Sequence, residues 1–320
     1  MRNPSLVFIA DVVKAHEDTT LESRDLECIT ESYYHDVMDA LSTLSMPVKH
    51  YSSPEEFIDN IQTHKNDIVF SLWSGISNRN RKALVPAICE AYHISYVGAD
   101  PYVHFMCQDK SLAKTIARNY GFESAKEVLI KSESEIRYVS DLCFPVIVKP
   151  NLEGGSIGIS SDSVIDSPKG YEEHISRLLS GYQQPILVEE YIGGDEICIT
   201  IAGSKRRIDV LDAVQINIRD SGAKYTVYGY EAKKDGIIDT GRTHYNPLPR
   251  DLREKCCKLF CGLGKVDIMR IDGKVVDGKF YLIELSPDAS MSKGSSAAQC
   301  FHYAGFTYPE MFETVISYQL

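Results

Sequence analysis

A β-type run, Phe144-Pro-Val-Ile-Val-Lys-Pro150, delivers one lysine, and the small-residue stretch Glu153-Gly-Gly-Ser-Ile-Gly158 follows closely. This pairing suits a polyphosphate. The lysine supplies a point charge, and the small loop residues let backbone N–H groups close on phosphate oxygens. Two later acids stand in apolar β-type sequence: Asp267 in Lys265-Val-Asp-Ile-Met-Arg270 and Glu284 in Tyr281-Leu-Ile-Glu-Leu-Ser-Pro287. A buried lone carboxylate is costly unless it is paired or binds a metal. Either acid could instead face solvent on an alternating strand. Two strands joined through Asp272-Gly273 and Asp277-Gly278 would set the acids side by side, as a Mg²⁺ site for nucleotide phosphates. A third segment, Ile186-Leu-Val-Glu-Glu-Tyr-Ile192, runs into Gly193-Gly-Asp-Glu196. Glu189 or Glu190 could accept from an adenine amino group, and Glu196 from ribose hydroxyls. Solvated acids at a strand end are the alternative.

Elements must hold these groups in place. Residues 1–105 alternate strand and helix signals: Leu6–Val13, Pro47–Tyr51, Asp67–Leu72 and Ile94–Val97 read as strands, and Thr30–Leu44, Pro54–Thr63 and Arg81–Tyr92 as helices. That rhythm predicts a small open parallel α/β sheet. Residues 106–184 read as an α+β lobe carrying the glycine-rich loop, with a helix over Ser111–Tyr120 and strands at Glu127–Ile130 and Pro145–Lys149. Residues 185–320 are strand-rich, with terminal helices over Asp251–Leu263 and Pro309–Leu320. The polar stretch from Arg219 to Asn246 shows little periodicity. A loop of that length is usually functional.

Composition narrows the partners. The chain has 320 residues, is 43% hydrophobic, and carries a formal net charge of −11. Mean hydropathy is −0.19. The acidic balance argues against a nucleic-acid partner, which wants a basic face. No apolar run approaches the ~18–20 residues of a membrane helix, so no membrane partner is expected. The nine cysteines form no CxxC pair and read as free thiols suited to the cytoplasm.

In their order along the chain, four segments resemble the D-alanine–D-alanine ligase family of ATP-grasp enzymes. They are Gln108-Asp-Lys-Ser-Leu-Ala-Lys114, Pro145 through Gly158, Leu187 through Glu196, and Gly264 through Met269 together with Leu282 through Ser292. The resemblance implies an ATP-grasp fold behind an open parallel α/β domain, ATP and Mg²⁺ (or Mn²⁺) as cofactors, and a homodimer. It implies that Lys110 and Lys149 contact phosphates while Glu153, Gly154, Gly155, Ser156 and Gly158 fold over them. Glu189, Glu190, Tyr191 and Ile192 would then line the adenine slot, and Glu196 would hold the ribose. Asp267, Glu284 and Ser286 fall at the metal ligands. Lys265 falls where the family has arginine beside the tetrahedral intermediate, keeping a cation without its bidentate fork. Ser156 and Ser290 fall at catalytic positions. Tyr230 and Lys233 fall on the closing loop, and Ser295, Met291, Glu27 and Ser74 around the substrates.

Three departures qualify the match. Ser286 replaces an asparagine, so Asp288 is a second candidate for the third metal ligand. The family's amino-terminal Gly-Gly-x-Ser signature is missing, and Glu27 falls only roughly at its ammonium-binding acid. The family's Gly-Glu-Asp-Gly run is here Ile76-Ser-Asn-Arg-Asn-Arg81, whose arginines are either surface residues or recognise a more anionic first substrate. The implied activity is a carboxylate–amine ligase, ADP-forming through an acyl phosphate, specialised for a dipeptide or other amide. Two alternatives are an ATP-grasp enzyme for non-amino-acid substrates and a non-catalytic nucleotide-binding homologue.

Overall fold

Residues 4–14, 23–75, 79–218, 224–225, 227–229 and 241–320 are described in a computed structural model. The first sheet has the order β4-β1-β5-β6, all parallel, from β1 (Leu6–Ile9), β4 (Val48–Tyr51), β5 (Ile68–Ser71) and β6 (Ser95–Tyr96). β2 (Val12–Val13) and β3 (Ile29–Thr30) pair separately. Every β1 side chain is buried because helices cover both faces, the usual state of a parallel sheet. On one face lie α1 (Glu31–Ser42) and the carboxyl-terminal helix. On the other lie α2 (Pro54–Asn60) and α3 (Leu84–Tyr92). Thr30 caps α1 by accepting from the Tyr33 amide, and Ser53 caps α2 ahead of Pro54.

α4 (Pro101–Gln108) spans the expected division at residue 105 and leads through the Asp109 cap into α5 (Lys110–Arg118). The second sheet is antiparallel, in the order β10-β9-β11-β8. It is built from β8 (Glu127–Ile130), β9 (Val146–Pro150), β10 (Val164–Ile165) and β11 (Ile186–Glu190), and α6 (Tyr171–Tyr182) packs on it.

The third sheet follows the order β14-β13-β12-β15-β16-β7. Its members are β7 (Glu123–Ser124), β12 (Asp195–Ser204), β13 (Arg207–Asn217), β14 (Gly241–His244), β15 (Ile268–Val276) and β16 (Lys279–Ser286). One face packs on α4, α5 and α7 (Arg250–Gly262). The other meets the first sheet's layer through α8 (Ser296–Tyr303) and α9 (Tyr308–Ser317). β14 lies inside the stretch whose sequence has no strand period. It is an edge strand with mostly exposed residues, so burial leaves no alternation to read.

The β15–β16 hairpin turns at Asp277-Gly278, not at Asp272-Gly273, which lies within the strand. Val276 pairs with Lys279 and Gly273 with Leu282; the register then shifts, so that Asp272 faces Glu284. Gly273 sits at this irregularity because nothing larger fits: an added Cβ would lie 2.5 Å from the Tyr281 carbonyl oxygen. Gly273→Ala should therefore lower unfolding free energy by about 1–3 kcal/mol in urea, as over-packing does. An unchanged midpoint would show that the hairpin yields without strain.

Candidate active site

The second and third sheets and the carboxyl ends of β5 and β6 in the first line a cavity of about 630 Å³. β9 points Lys149 into it, and the start of α5 points Lys110 into it. The ammonium of Lys110 donates to the Glu153 carbonyl oxygen and lies 3.5 Å from Glu284 Oε2. Lys149 Nζ lies 2.5 Å from Glu189 Oε2, and buried Lys114 pairs with the other oxygen of Glu189 and, at 3.3 Å, with Glu127. Burial, with Lys114 and Lys110 close by, pushes the Lys149 ammonium well below its ordinary range. Burial likewise brings Lys114 down to about 8 despite Glu127. Burial disfavours the charged form of a lysine, and the carboxylates of Glu127, Glu189 and Glu284 oppose that effect in this cluster.

The glycine loop closes one end. Gly155 and Ser156 both adopt positive φ, +61° and +65°, and the Ser156 hydroxyl donates to the Tyr228 carbonyl at 2.9 Å. Gly154 and Gly155 are small because Glu27 packs directly against them. Gly158 does not line the cavity; its φ of +74° and its contact with Pro150 and Tyr182 make it a packing glycine. Glu153 turns its carboxylate away from the loop, to Arg81 at 3.1 Å and Gln184 at 2.7 Å.

Glu189, Glu190, Tyr191, Ile192 and Glu196 line the cavity's far end. Glu190 accepts from the Cys143 amide at 2.9 Å, and Glu189 is held between two lysines. Glu196 faces Lys274 across the β12–β15 ladder, and the Lys274 ammonium lies 5.5 Å over the Tyr191 ring.

The acid pair differs from the expectation. Asp267 is not beside Glu284 and does not line the cavity. Its Oδ2 accepts from the Gly98 amide at 2.9 Å, from Lys265 at 2.7 Å and from Gln319 at 2.7 Å, tying the first sheet to the chain's end. Lys265 belongs to the same tie, over the Tyr96 ring. Arg270 and Asp272 occupy the cavity position instead. Arg270 grips Asp272 with Nε at 2.7 and 2.9 Å and with Nη2 at 2.7 Å, and lies 3.7 Å from Glu284. Burial raises the Asp272 carboxyl against the pull of Arg270. The guanidinium fork missing from Lys265 is thus present further along, at Arg270 on β15, with Ser286 paired opposite.

Among the described residues no three His, Cys, Asp or Glu side chains are grouped to hold a metal. Asp272, Glu284 and the Ser286 hydroxyl still fit Mg²⁺, which takes one or two carboxylates and completes its shell with water and substrate phosphates. Asp288 is instead paired with Lys82.

The substrate-side residues fall into place unevenly. Glu27, Ser74, Ser290, Met291 and Ser295 line the cavity. The Ser74 hydroxyl donates to the Glu27 carbonyl at 2.7 Å, the Met291 amide donates to Tyr33 Oη, and Ser295 caps α8 by accepting from the Ala298 amide at 3.1 Å. Tyr230 and Lys233 lie outside the described residues. His104 also lines the cavity unexpectedly, and burial draws it down to about 4.

This fold and this cavity define an ATP-grasp enzyme. The family model described as D-ala D-ala ligase C-terminus matches residues 111–317, and the chain belongs to that family. A D-alanine–D-alanine ligase of Thermotoga maritima is 25% identical over 288 residues, covering 88% of this chain and 89% of the relative. An uncharacterised protein of Sinorhizobium fredii is 26% identical over 254 residues, 78% of this chain and 73% of its own. Among solved structures, the ATP complex of Bacillus anthracis D-alanine–D-alanine ligase superposes with a TM-score of 0.72 at 18% identity, covering 99% of this chain and 97% of that one. A D-Ala:D-Ser ligase of Enterococcus faecalis gives a TM-score of 0.71 at 16% identity, with both chains wholly covered.

Two outcomes test the electrostatics. Arg270→Met leaves Asp272 as an uncompensated buried charge, so stability should fall by about 3–5 kcal/mol in urea at neutral pH; a change below about 1 kcal/mol would mean the pair is not buried. His104 binds fewer protons folded than unfolded between about 4 and 6.5, so stability should rise with pH across that window. His104→Asn should flatten this rise in unfolding curves taken at several pH values.

Proposed function

We propose that the chain is an ADP-forming carboxylate–amine ligase that activates an acid as its acyl phosphate and passes the acyl group to the amine of an amino acid. One observation carries this reading: Lys110, Lys149, the glycine loop and the Asp272–Glu284 pair converge on one cavity. A carboxylate oxygen of the acid attacks the γ-phosphorus of ATP, the bond to the β,γ-bridging oxygen breaks, and ADP leaves with that electron pair. The amine nitrogen then attacks the acyl carbon. The bond to the phosphate oxygen breaks, inorganic phosphate departs, and a proton is lost from nitrogen. Such chemistry is governed by positioning and charge neutralisation.

Lys110 and Lys149 would bind the phosphates, and Gly154 to Ser156 would cover the γ-phosphate and exclude water from the reactive intermediate. Mg²⁺ held by Asp272, Glu284 and Ser286, or Mn²⁺ in its place, would neutralise phosphate charge. Arg270, oriented by Asp272, is placed to donate to the oxyanion that develops on the acyl carbon, with a backbone N–H near Ser290. The amine's own carboxylate has a seat at the α8 N-terminus, where Ser295 caps the helix and Arg242 Nε lies 3.3 Å from Ser296 Oγ. The Arg270 fork also speaks against a non-catalytic homologue.

ADP and phosphate release should require magnesium, an acid and an amine together, with an amide product seen by mass spectrometry. Lys149→Ala and Glu284→Gln should each weaken magnesium-dependent ATP binding ten- to a hundredfold, as loss of a charge-assisted hydrogen bond of about 1.5–3 kcal/mol does. Release of AMP and pyrophosphate would refute the reading.

A further inference from the structure

The corner of the cavity beneath the glycine loop holds an ion cluster drawn from four parts of the chain. Arg81, 2% exposed, donates through Nη2 to Glu27 Oε2 and to Glu153. Lys82 Nζ donates to Glu27 Oε1 at 2.6 Å and pairs with Asp288 Oδ2. A Cβ on Gly154 would strike Glu27 Oε1 and stand 3.5 Å from Lys82 Nζ. The Lys82 ammonium therefore lies against the loop assigned to the γ-phosphate, where the acid to be activated must also bind.

An α-ammonium finds no seat here. Both oxygens of Glu27 accept from cations, and its side chain is 6% exposed. Separating a buried pair leaves an uncompensated charge away from water, and the incoming ammonium would also face the like charge of Lys82. Arg81 is no anion receptor either, because Glu27 and Glu153 seal it in. The groups that remain at the cavity surface are Lys82 and Asp288, whose side chains are 15% and 32% exposed. They offer one donor and one acceptor side by side. An ammonium can only donate and a carboxylate can only accept, whereas a hydroxyl does both. Neighbouring His104, neutral through burial, adds no charge that would favour either ion.

We propose that the acid activated by this enzyme is a 2-hydroxy carboxylate, not a 2-amino one, and that Lys82 is the residue that sets this preference. The inference rests on the ligase reading above. The hydroxyl makes and breaks no bond; it accepts from Lys82 and donates to Asp288, which fixes the carboxylate toward the γ-phosphate.

The test is a competition. Full-length protein is given Mg-ATP, both enantiomers of lactate and 2-hydroxybutyrate, both enantiomers of alanine and 2-aminobutyrate, and a panel of amino acids as amines. Product mass reports which acid was activated. N-(2-hydroxyacyl) amino acids should form with kcat/KM at least about tenfold above the matched dipeptides, because a site built to hydrogen-bond one group discriminates strongly against its replacement. Lys82→Gln releases Glu27 and Asp288 for an ammonium and should shift that ratio about tenfold or more toward amino acid donors. Should the variant fail to fold, the wild-type competition decides alone. Dipeptide as the dominant product overturns the proposal and leaves the ligase reading standing. Absence of ADP and amide from every acid overturns both.

Discussion

Buried charge is the constraint around which this molecule is arranged. Lys110, Lys114 and Lys149 are between 1% and 5% exposed, and Glu27, Glu153, Glu189 and Asp272 are scarcely more open. No such group survives away from water unless partners surround it. The partners come from separate segments: Lys149 on β9 with Glu189 on β11, Lys110 on α5 with Glu284 on β16, Lys82 ahead of α3 with Asp288 after β16. Each pair fastens two parts of the chain, so the cavity's electrostatics and the docking of the layers are the same interactions. The three clustered lysines are balanced by Glu127, Glu189 and Glu284, so a polyphosphate would have to share these lysines with the carboxylates.

The β15–β16 hairpin shows how backbone detail places chemistry. Its tight turn at Asp277-Gly278 sets the register, and the shift at Gly273 brings Asp272 opposite Glu284. Arg270 then reaches both acids from two residues away. A side chain at Gly273 would press on the Tyr281 carbonyl, so the glycine protects both the strand pairing and the acid pair. Asp267, just ahead of β15, serves the docking of the layers. With Lys265 and Gln319 it pins the chain's end against Gly98.

Much of this was legible in the residue order. The strand–helix rhythm of the first 105 residues foretold a small open parallel sheet, and the Phe144–Pro150 run with its glycines foretold a strand and loop at the cavity. The acid pair was not read correctly. Lys265-x-Asp267 and Arg270-x-Asp272 share one pattern, and only the hairpin turn distinguishes them. Counting pairs outward from Asp277-Gly278 sets Ile271 opposite Glu284; the register shift at Gly273 is what brings Asp272 there, and it leaves no mark in the residue pattern. Arg81 and Lys82 carried no burial signal, because they follow a polar stretch and owe their burial to Glu27, Glu153 and Asp288, all distant in sequence. Long-range charge pairing of this kind leaves no period in the sequence.

In the proposed reaction the phosphoryl group of ATP is handed to a carboxylate inside this cavity. An isotope transfer measures that directly. With an acid substrate carrying ¹⁸O in both carboxylate oxygens, each amide formed should release one inorganic phosphate bearing a single ¹⁸O atom. Phosphate free of label, formed together with amide, would contradict the account.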